Sequence, residues 1–444
     1  MDLIKHVATG ARRYPSITVS LLIILFLIGI SLYAIICIPL SDAIEMWNAP
    51  PHELFHMPRS VPPAWTNLFR REPLPETWHV PMEQFEFTEG RFSEAAGLTA
   101  IEITFDYSFT TFPSGMTFFY DVDYGSKRPI LTLTWIKPDG SEEEVIREIP
   151  NRGSSRYNFD AEEDLLVRPS VDGEPGGKDP AADRTDRATQ GEYTLRVEAI
   201  TFEENEFAID GEIIVYGSVH GVAGTDYRRR DVATALFWGA PIAIMFGFLA
   251  SIGTTLLGFT LAAIGAWYGG WVDATLQRIT EVNMMIPFLP TIMVVGFFLS
   301  TNLWVLLGFI VGFSIFTGRL KTYRAMFLQL KSAEYIEAAR AYGASNLRII
   351  FRYMIPHIFP AVLPHLILGI PRFVFLEASL AFLGVADPQL LTWGKMLSEA
   401  RSALYQGEYQ SVLGPALLLL LTGLSFSMLG YTLDRIFNPR LRGI

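Results

Sequence analysis

Four stretches of this chain run without a charged side chain for longer than a bilayer is thick, and they fix most of what the chain can become. Residues 17–38, 232–272, 282–318 and 409–433 contain no Asp, Glu, Lys or Arg. As helices rising about 1.5 Å per residue, each can cross about 30 Å of hydrocarbon. Half of all residues are hydrophobic and 18% charged. The apolar residues are bunched rather than periodic, which is the signature of membrane insertion and not of one soluble core. The 41-residue run from 232 would be about 60 Å long as one helix, so its beginning is expected along the interface and its remainder to make one crossing. The 37-residue run from 282 breaks at Ser300-Thr301-Asn302 and reads as two crossings, the first starting near Leu276. A span at about 358–383 tolerates Arg372 and Glu377. The expectation is an α-helical polytopic membrane protein with six transmembrane helices.

Basic residues near span ends are retained on the cytoplasmic side. Lys5, Arg12 and Arg13 precede the first span; Arg319, Lys321, Arg324, Lys331, Arg340, Arg348 and Arg352 lie between the fourth and fifth; Arg435, Arg440 and Arg442 follow the last. With six crossings all three groups fall on one side, so both termini are expected in the cytoplasm of a multi-pass protein of the inner (plasma) membrane, and residues 40–232 outside it. The first span reads as a retained anchor: it is longer than a signal-peptide core, and no Ala-x-Ala site follows. Cys37, the one cysteine, follows Ile36 where a lipoprotein site needs a small residue, and it excludes an intrachain disulfide.

Charge divides the chain in two. Residues 40–232 carry a net −18, and everything else a net +7. An acidic outer module argues against nucleic acid as a partner. Within it Ile101-Glu-Ile-Thr-Phe105, Leu131-Thr-Leu-Thr-Trp135, Tyr193-Thr-Leu-Arg-Val197 and Glu212-Ile-Ile-Val-Tyr216 alternate as strands with one buried face. Lys137-Pro-Asp-Gly140 reads as a hairpin turn. The spacing predicts an inserted extracytoplasmic β-rich domain over 97–217, sandwich-like, with an immunoglobulin-like arrangement one form of it. A flexible loop is expected at 173–191 and an irregular connector at 41–96. Gly176-Gly-Lys178-Asp179 fails as a phosphate-binding loop, because Asp172 stands at the first glycine position and Asp179 where Mg²⁺ needs Ser or Thr. The chain shows no nucleophile elbow and no metal-ligand spacing of His and Cys, so no catalytic residue and no metal ligand is expected.

Between the fourth and fifth crossings, residues 332–356 describe a helical elbow. Ser332 is placed to cap its first arm, Glu334 lies in the first turn, and Gly343 supplies the left-handed position that ends it. Ser345 restarts a helix that Pro356 is expected to limit. Tyr335, Ile336, Ala339 and Tyr342 recur at helical spacing, and Ala338 and Ala339 leave room for another backbone. Such a knob fits a groove on a cytoplasmic partner. It equally fits an amphipathic helix lying on lipid, and spacing does not separate the two.

The order Glu337-Ala338-Ala339, Gly343, Pro356 resembles the EAA signature of ABC importer permeases. From about residue 220 to 442 the chain resembles the C-type permease subunit of the dipeptide/oligopeptide/nickel branch. The likeness is carried by Gly224-Thr-Asp226, Arg230-Asp-Val232, Tyr268-Gly-Gly-Trp-Val-Asp273, Glu377-Ala-Ser-Leu-Ala-Phe-Leu-Gly384, Trp393-Gly394 and Asn438-Pro-Arg440. The chain departs from the family at Arg229, where glycine is usual, at Tyr353 (isoleucine) and at Ile355 (leucine), and its acidic insert is much longer.

The resemblance implies a transport subunit without chemistry of its own. A second homologous permease would complete the path, two ABC ATPase subunits would bind and hydrolyse ATP, and an extracytoplasmic binding protein would deliver substrate: peptide, nickel or oligosaccharide. Glu337, Ala338, Ala339, Gly343 and Pro356 would then couple to the ATPases. Arg372 and Glu377 each cost about 3 kcal/mol at mid-bilayer and are candidates for the translocation path, with Glu281 a further candidate or an interfacial charge. About 140° apart on a helix, Arg372 and Glu377 are not expected to pair. Asp226 and Asp231 are candidate caps at the outer end of the second crossing. Two other classes remain at this point: a ligand-sensing or adhesion protein anchored by its spans, and an ion-coupled carrier.

Overall fold

Alternation of side chains governs one half of the molecule and uninterrupted apolarity the other. A computed structural model of the chain describes residues 15–81, 86–93, 96–111, 113–159, 190–202, 207–405 and 409–437. Residues 173–189 of the expected loop and the motif Asn438-Pro-Arg440, together with Lys5, Arg12, Arg13 and Arg442, lie outside them, and Gly191 opens a strand. Two compact units emerge, Ala49–Val232 and the pair Met1–Asn48 with Ala233–Ile444.

In the first unit nine strands are described: β1 (Trp78–Pro81), β2 (Glu86–Ser93), β3 (Ala96–Tyr107), β4 (Gly115–Tyr124), β5 (Ile130–Ile136), β6 (Glu142–Glu148), β7 (Gly153–Asn158), β8 (Gly191–Thr201) and β9 (Phe207–Tyr216). They form a four-stranded sheet, β1-β9-β4-β7, and a five-stranded sheet, β2-β3-β8-β5-β6, with neighbouring strands antiparallel in both. One apolar cluster receives Met116, Phe118, Tyr120 and Val122 of β4 together with Ile101 and Ile103 of β3, Leu133 and Trp135 of β5, and Leu195 and Val197 of β8. Each set is spaced by two, as a pleated strand with one buried face requires. On the opposite face of the larger sheet Arg196 of β8 bonds Glu102 of the adjacent β3 (2.7 Å) and reaches past β5 to Glu142 of β6 (3.0 Å).

Lys137-Pro-Asp-Gly140 is the β5–β6 turn. Gly140 takes φ +81°, its N–H donates to the Lys137 carbonyl, and Asp139 accepts from the Ser141 amide (2.9 Å) and hydroxyl (2.6 Å). Those two bonds hold the Asp139 carboxyl below its ordinary value. The connector expected at 41–96 is not wholly irregular, since β1 and β2 fall in it. β1 is a short edge strand ending in Pro81, where a proline costs no ladder bond, so its residues gave little strand signal.

The helical unit opens with α1 (Pro15–Cys37) and a short α2 (Leu40–Asn48). α1 buries a narrow stripe, Ile17, Ser20, Leu27, Ser31 and Ala34, and its two buried serines satisfy their hydroxyls on carbonyls three and four residues back. α3 (Val232–Tyr268) runs unbroken through Pro241 for 37 residues, about 55 Å. No break in the helix divides an opening segment from the rest. Pro241 leaves the Phe237 carbonyl without its helical donor, and on the neighbouring carbonyl, Leu236 O, the Trp393 indole donates at 3.0 Å.

α4 (Gly270–Met285) and α5 (Phe288–Phe298) meet at 83°, and α6 (Leu303–Ile315) and α7 (Gly318–Lys331) at 50°. The turn at Ser300-Thr301-Asn302 separates the two pairs as expected, with Asn302 accepting from the Trp304 and Val305 amides at the start of α6. The bends themselves were not expected. α8 (Glu334–Ala341) is followed by α9 (Asn346–Phe382), which begins well before residue 358. α10 (Trp393–Glu399), α11 (Arg401–Tyr405) and α12 (Gln410–Phe437) complete the unit. Among the described residues four helices are long and apolar enough to cross a membrane, or up to six if each bent pair is one span.

Close approach of backbones knits α3 to α9. At Gly369 an added Cβ would lie 2.1 Å from the Ser251 hydroxyl, which itself donates to the Leu366 carbonyl at 2.6 Å. Small residues at such crossings let polar contacts form between helices in a medium that offers no water.

Candidate functional site

The elbow is built from two small devices. Ala341 ends α8, Tyr342 caps it, and Gly343 adopts φ +81°. The Gly343 N–H donates to Arg340 O (2.9 Å) and the Ala344 N–H to Ala339 O (3.0 Å), the paired bonds of a Schellman motif. Ser345 then caps α9 by accepting from the Arg348 amide. Two details differ from the sequence expectation. Ser332 does not cap α8; Ala333 holds that position, and the Ser332 hydroxyl instead donates back to Gln329 O at the end of α7. Nor does Pro356 limit the second arm. Residues Ile349–Met354 form a π turn, whose wider ring relieves the clash between a proline and the carbonyl four residues earlier, and the helix continues to Phe382.

Of the stripe expected to form one apolar face, Ile336 alone is fully buried, packed among Phe259, Trp267, Phe327, Ile349 and Ile350. Tyr342 is 92% exposed and Tyr335 40%. Partial burial of the Tyr335 ring raises its hydroxyl pKa. Glu337 and Ala338 face outward, and Ala339 is half-buried. The elbow is thus a knob with an anchored base and an open crown.

Below the crown, the end of α3 is tied to the elbow by cations. Lys331 donates to the Ala266 (3.0 Å) and Trp267 (2.7 Å) carbonyls, which no helix residue can pair at a C-terminus. The Arg340 guanidinium lies over the Trp267 ring, 4.9 Å from its centroid. A push on α8 therefore reaches α3 directly through Arg340 and Ile336, and α9 through the covalent turn.

Sequence reading missed the brace beside it. Asp273 of α4 takes a two-pronged bond from Arg324 of α7. Glu281 sits between Arg278 (3.3 Å) and Lys321 (3.4 Å), which makes it an ionic link between α4 and α7. Asn283 donates both amide hydrogens to the Phe313 (3.0 Å) and Phe316 (2.7 Å) carbonyls at the α6–α7 bend. Asp273 stands in a motif noted above, and its position one turn into a helix was the available signal.

The three candidates for a translocation path do not share a site. Glu281 belongs to the α4–α7 brace. Arg372 is exposed on α9, while Glu377 is buried on the same helix beside the Thr392 hydroxyl. There the α10 segment covers it: a Cβ at Gly394 would come within 2.6 Å of Ala378 Cα. Two quoted motifs, Glu377-Ala378 and Trp393-Gly394, are thus halves of one helix contact. Asp226 is not at a helix start either. It is buried in a loop, accepting from the Arg228 (2.9 Å) and Arg230 (2.8 Å) amides and bonding the buried Arg230 guanidinium at 2.6 Å. Asp231 bridges to Thr225. Arg229, where the family has glycine, takes φ +67° and donates to Met57 O at 2.7 Å.

Comparison with known proteins places these features. Residues 254–443 match the family described as binding-protein-dependent transport system inner membrane component. The chain is 29% identical over 222 residues to the dipeptide transport system permease protein DppC of Bacillus subtilis (strain 168), covering 49% of this chain and 68% of that one. It is 32% identical over 222 residues to DppC of Alkalihalophilus pseudofirmus (49% and 72%). With the peptidoglycan transport system permease protein YejE of Agrobacterium fabrum it shares 34% over 182 residues, 41% of this chain and 48% of that one.

Proposed function

Since the chain belongs to the binding-protein-dependent permeases of ABC peptide importers, we propose that the residue 332–356 elbow is its input for work done by separate ATPase subunits. The observation that carries this reading is the exposed crown of Glu337, Ala338 and Tyr342 standing on the buried Ile336, with Arg340 of the elbow and Lys331 at the end of α7 just before it both fastened to α3. A surface that is polar, small and open above a rigid base suits insertion into a groove of a partner protein better than immersion in lipid.

In this reading each bent pair counts as one crossing, giving six, and the even number puts the basic ends and the elbow on the cytoplasmic side. Residues 40–232 stand outside, their two sheets closing on one core as a sandwich. A second permease subunit completes the path, and two ATPases bind ATP beneath it. The α6 face carrying Gly308 and Gly312, with no neighbour within 4 Å of either added Cβ, suits close packing by another helix. Substrate arrives from an extracytoplasmic binding protein. Relatives named for dipeptides, oligopeptides and glutathione favour a short peptide. ATPase closure tilts the elbow as a lever, and α3 and α9 rock between inward and outward access.

The test is Ala338→Trp in proteoliposomes containing the whole transporter and its binding protein. The exposed indole leaves the chain folded and inserted, while ATP-driven peptide uptake falls at least about tenfold, equivalent to about 1.4 kcal/mol of lost coupling. Uptake at the wild-type rate ends the lever assignment, and uptake that needs no ATP identifies a carrier.

A further inference from the structure

Three side chains far apart in sequence converge on one spot of the four-stranded sheet. His79 of β1 and Glu212 of β9 are diagonal neighbours on its outer face, since Pro81, two residues from His79, pairs with Glu212. His56 ends a 3₁₀ turn, Glu53–His56, and places its ring 5.1 Å from that of Phe119, Glu212's partner on β4. The two carboxylate oxygens are divided between the two imidazoles: His79 Nδ1 lies 3.1 Å from Oε2 and His56 Nδ1 3.3 Å from Oε1. The three ligand atoms lie within 4.8 Å of one another.

From this convergence we propose that His56, His79 and Glu212 form a binding site for one divalent cation of the zinc type. Two imidazole nitrogens and a carboxylate suit zinc and its transition-metal neighbours, and their nitrogen content disfavours magnesium and calcium. Each imidazole enters as its Nε2–H tautomer, turning the Nδ1 lone pair to the metal, and solvent fills the open position.

What separates this cluster from an ordinary surface hydrogen bond is the framework around His56. The Tyr216 hydroxyl donates to Phe55 O on one side of it, and Arg229 donates to Met57 O on the other. Arg156 lies 3.4 Å from the centroid of the Phe55 ring. Both backbone neighbours of His56 are therefore held, so little ordering remains to be done when a cation binds. Residues 56, 79 and 212 form no local motif, which is why spacing gave no sign of them. A bound cation would pin the Glu53–His56 turn to β1 and β9. The site is independent of the transport reading.

Zn²⁺ titration of the full-length chain in detergent micelles after chelator treatment, followed by calorimetry, tests it. One equivalent binds to the wild type, and His56→Ala and His79→Ala each weaken binding at least about tenfold. Glu212→Gln, which keeps the shape and hydrogen-bonding capacity of the strand residue, weakens it as well. Zn²⁺ raises the thermal midpoint of the wild type and not that of the double histidine variant. Wild-type affinity in the double variant, or displacement of Zn²⁺ by an equal concentration of Mg²⁺, overturns the assignment.

Discussion

The two sheets of the first unit enclose a cluster of large apolar side chains between them, whereas long helices of the second unit leave many of theirs uncovered. In the former, Phe118, Leu133, Trp135 and Leu195 are at most 1% exposed in a single shared cluster. In the latter, Leu22, Leu25, Phe298 and Leu420 are between 61% and 83% exposed within the chain. A soluble fold finishes its own burial, whereas a permease half is made to be finished by lipid and by other chains. Stability should follow the first pattern and function the second.

Core truncation gives the sharpest break. Phe118→Ala should cost about 3–5 kcal/mol, seen as an earlier loss of the β-unit signal when the full-length chain is denatured, with the helical transition unmoved. A matching shift in the helices would show that the two units stand or fall together. A smaller effect is expected at the elbow. Gly343→Val forces a β-branched residue into φ +81°, at about 1–3 kcal/mol, and should lower peptide uptake per ATP hydrolysed without moving the β-unit midpoint. The least effect belongs to Asp139. Because Ser141 depresses its carboxyl pKa in the folded state, its contribution is present above the unfolded value near 3.8 and is lost as pH falls through the folded one. The Ser141 amide resonance should report that step, and Asp139→Asn should abolish it.

Where one face of a strand is buried, the sequence carries the answer openly: β3, β5 and β8 read correctly from the alternation of Ile101, Ile103 and Phe105 and its counterparts. β4 escaped because Phe118 and Phe119 are adjacent and apolar on both faces, and β7 because Gly153–Asn158 is polar throughout. In the membrane-type helices apolarity reports length but not direction. The 83° bend at Ile286-Pro287 lies inside the uncharged run and the 50° bend at Phe316-Thr317 at its end, just before Arg319, Lys321 and Arg324, and the length of the run marks neither angle. Pro356 misled for a related reason: a proline stops a regular helix, but a π turn before it removes the obstruction. At the elbow, Glu334, Gly343 and Ser345 were legible because capping and positive φ depend on residue type at one position. The Asp273–Arg324 pair and the Lys331 bonds join residues 51 and 64–65 apart in sequence, and nothing local announces them.

The Asn283 amide holds the Phe313 and Phe316 carbonyls together while standing three residues ahead of the other bend. One side chain thus serves as a common axle for two kinks, and neither can straighten without dragging on the other. Gearing of that kind would turn a small displacement on one helix pair into synchronous motion of both, so that a gate built from them opens in a single step.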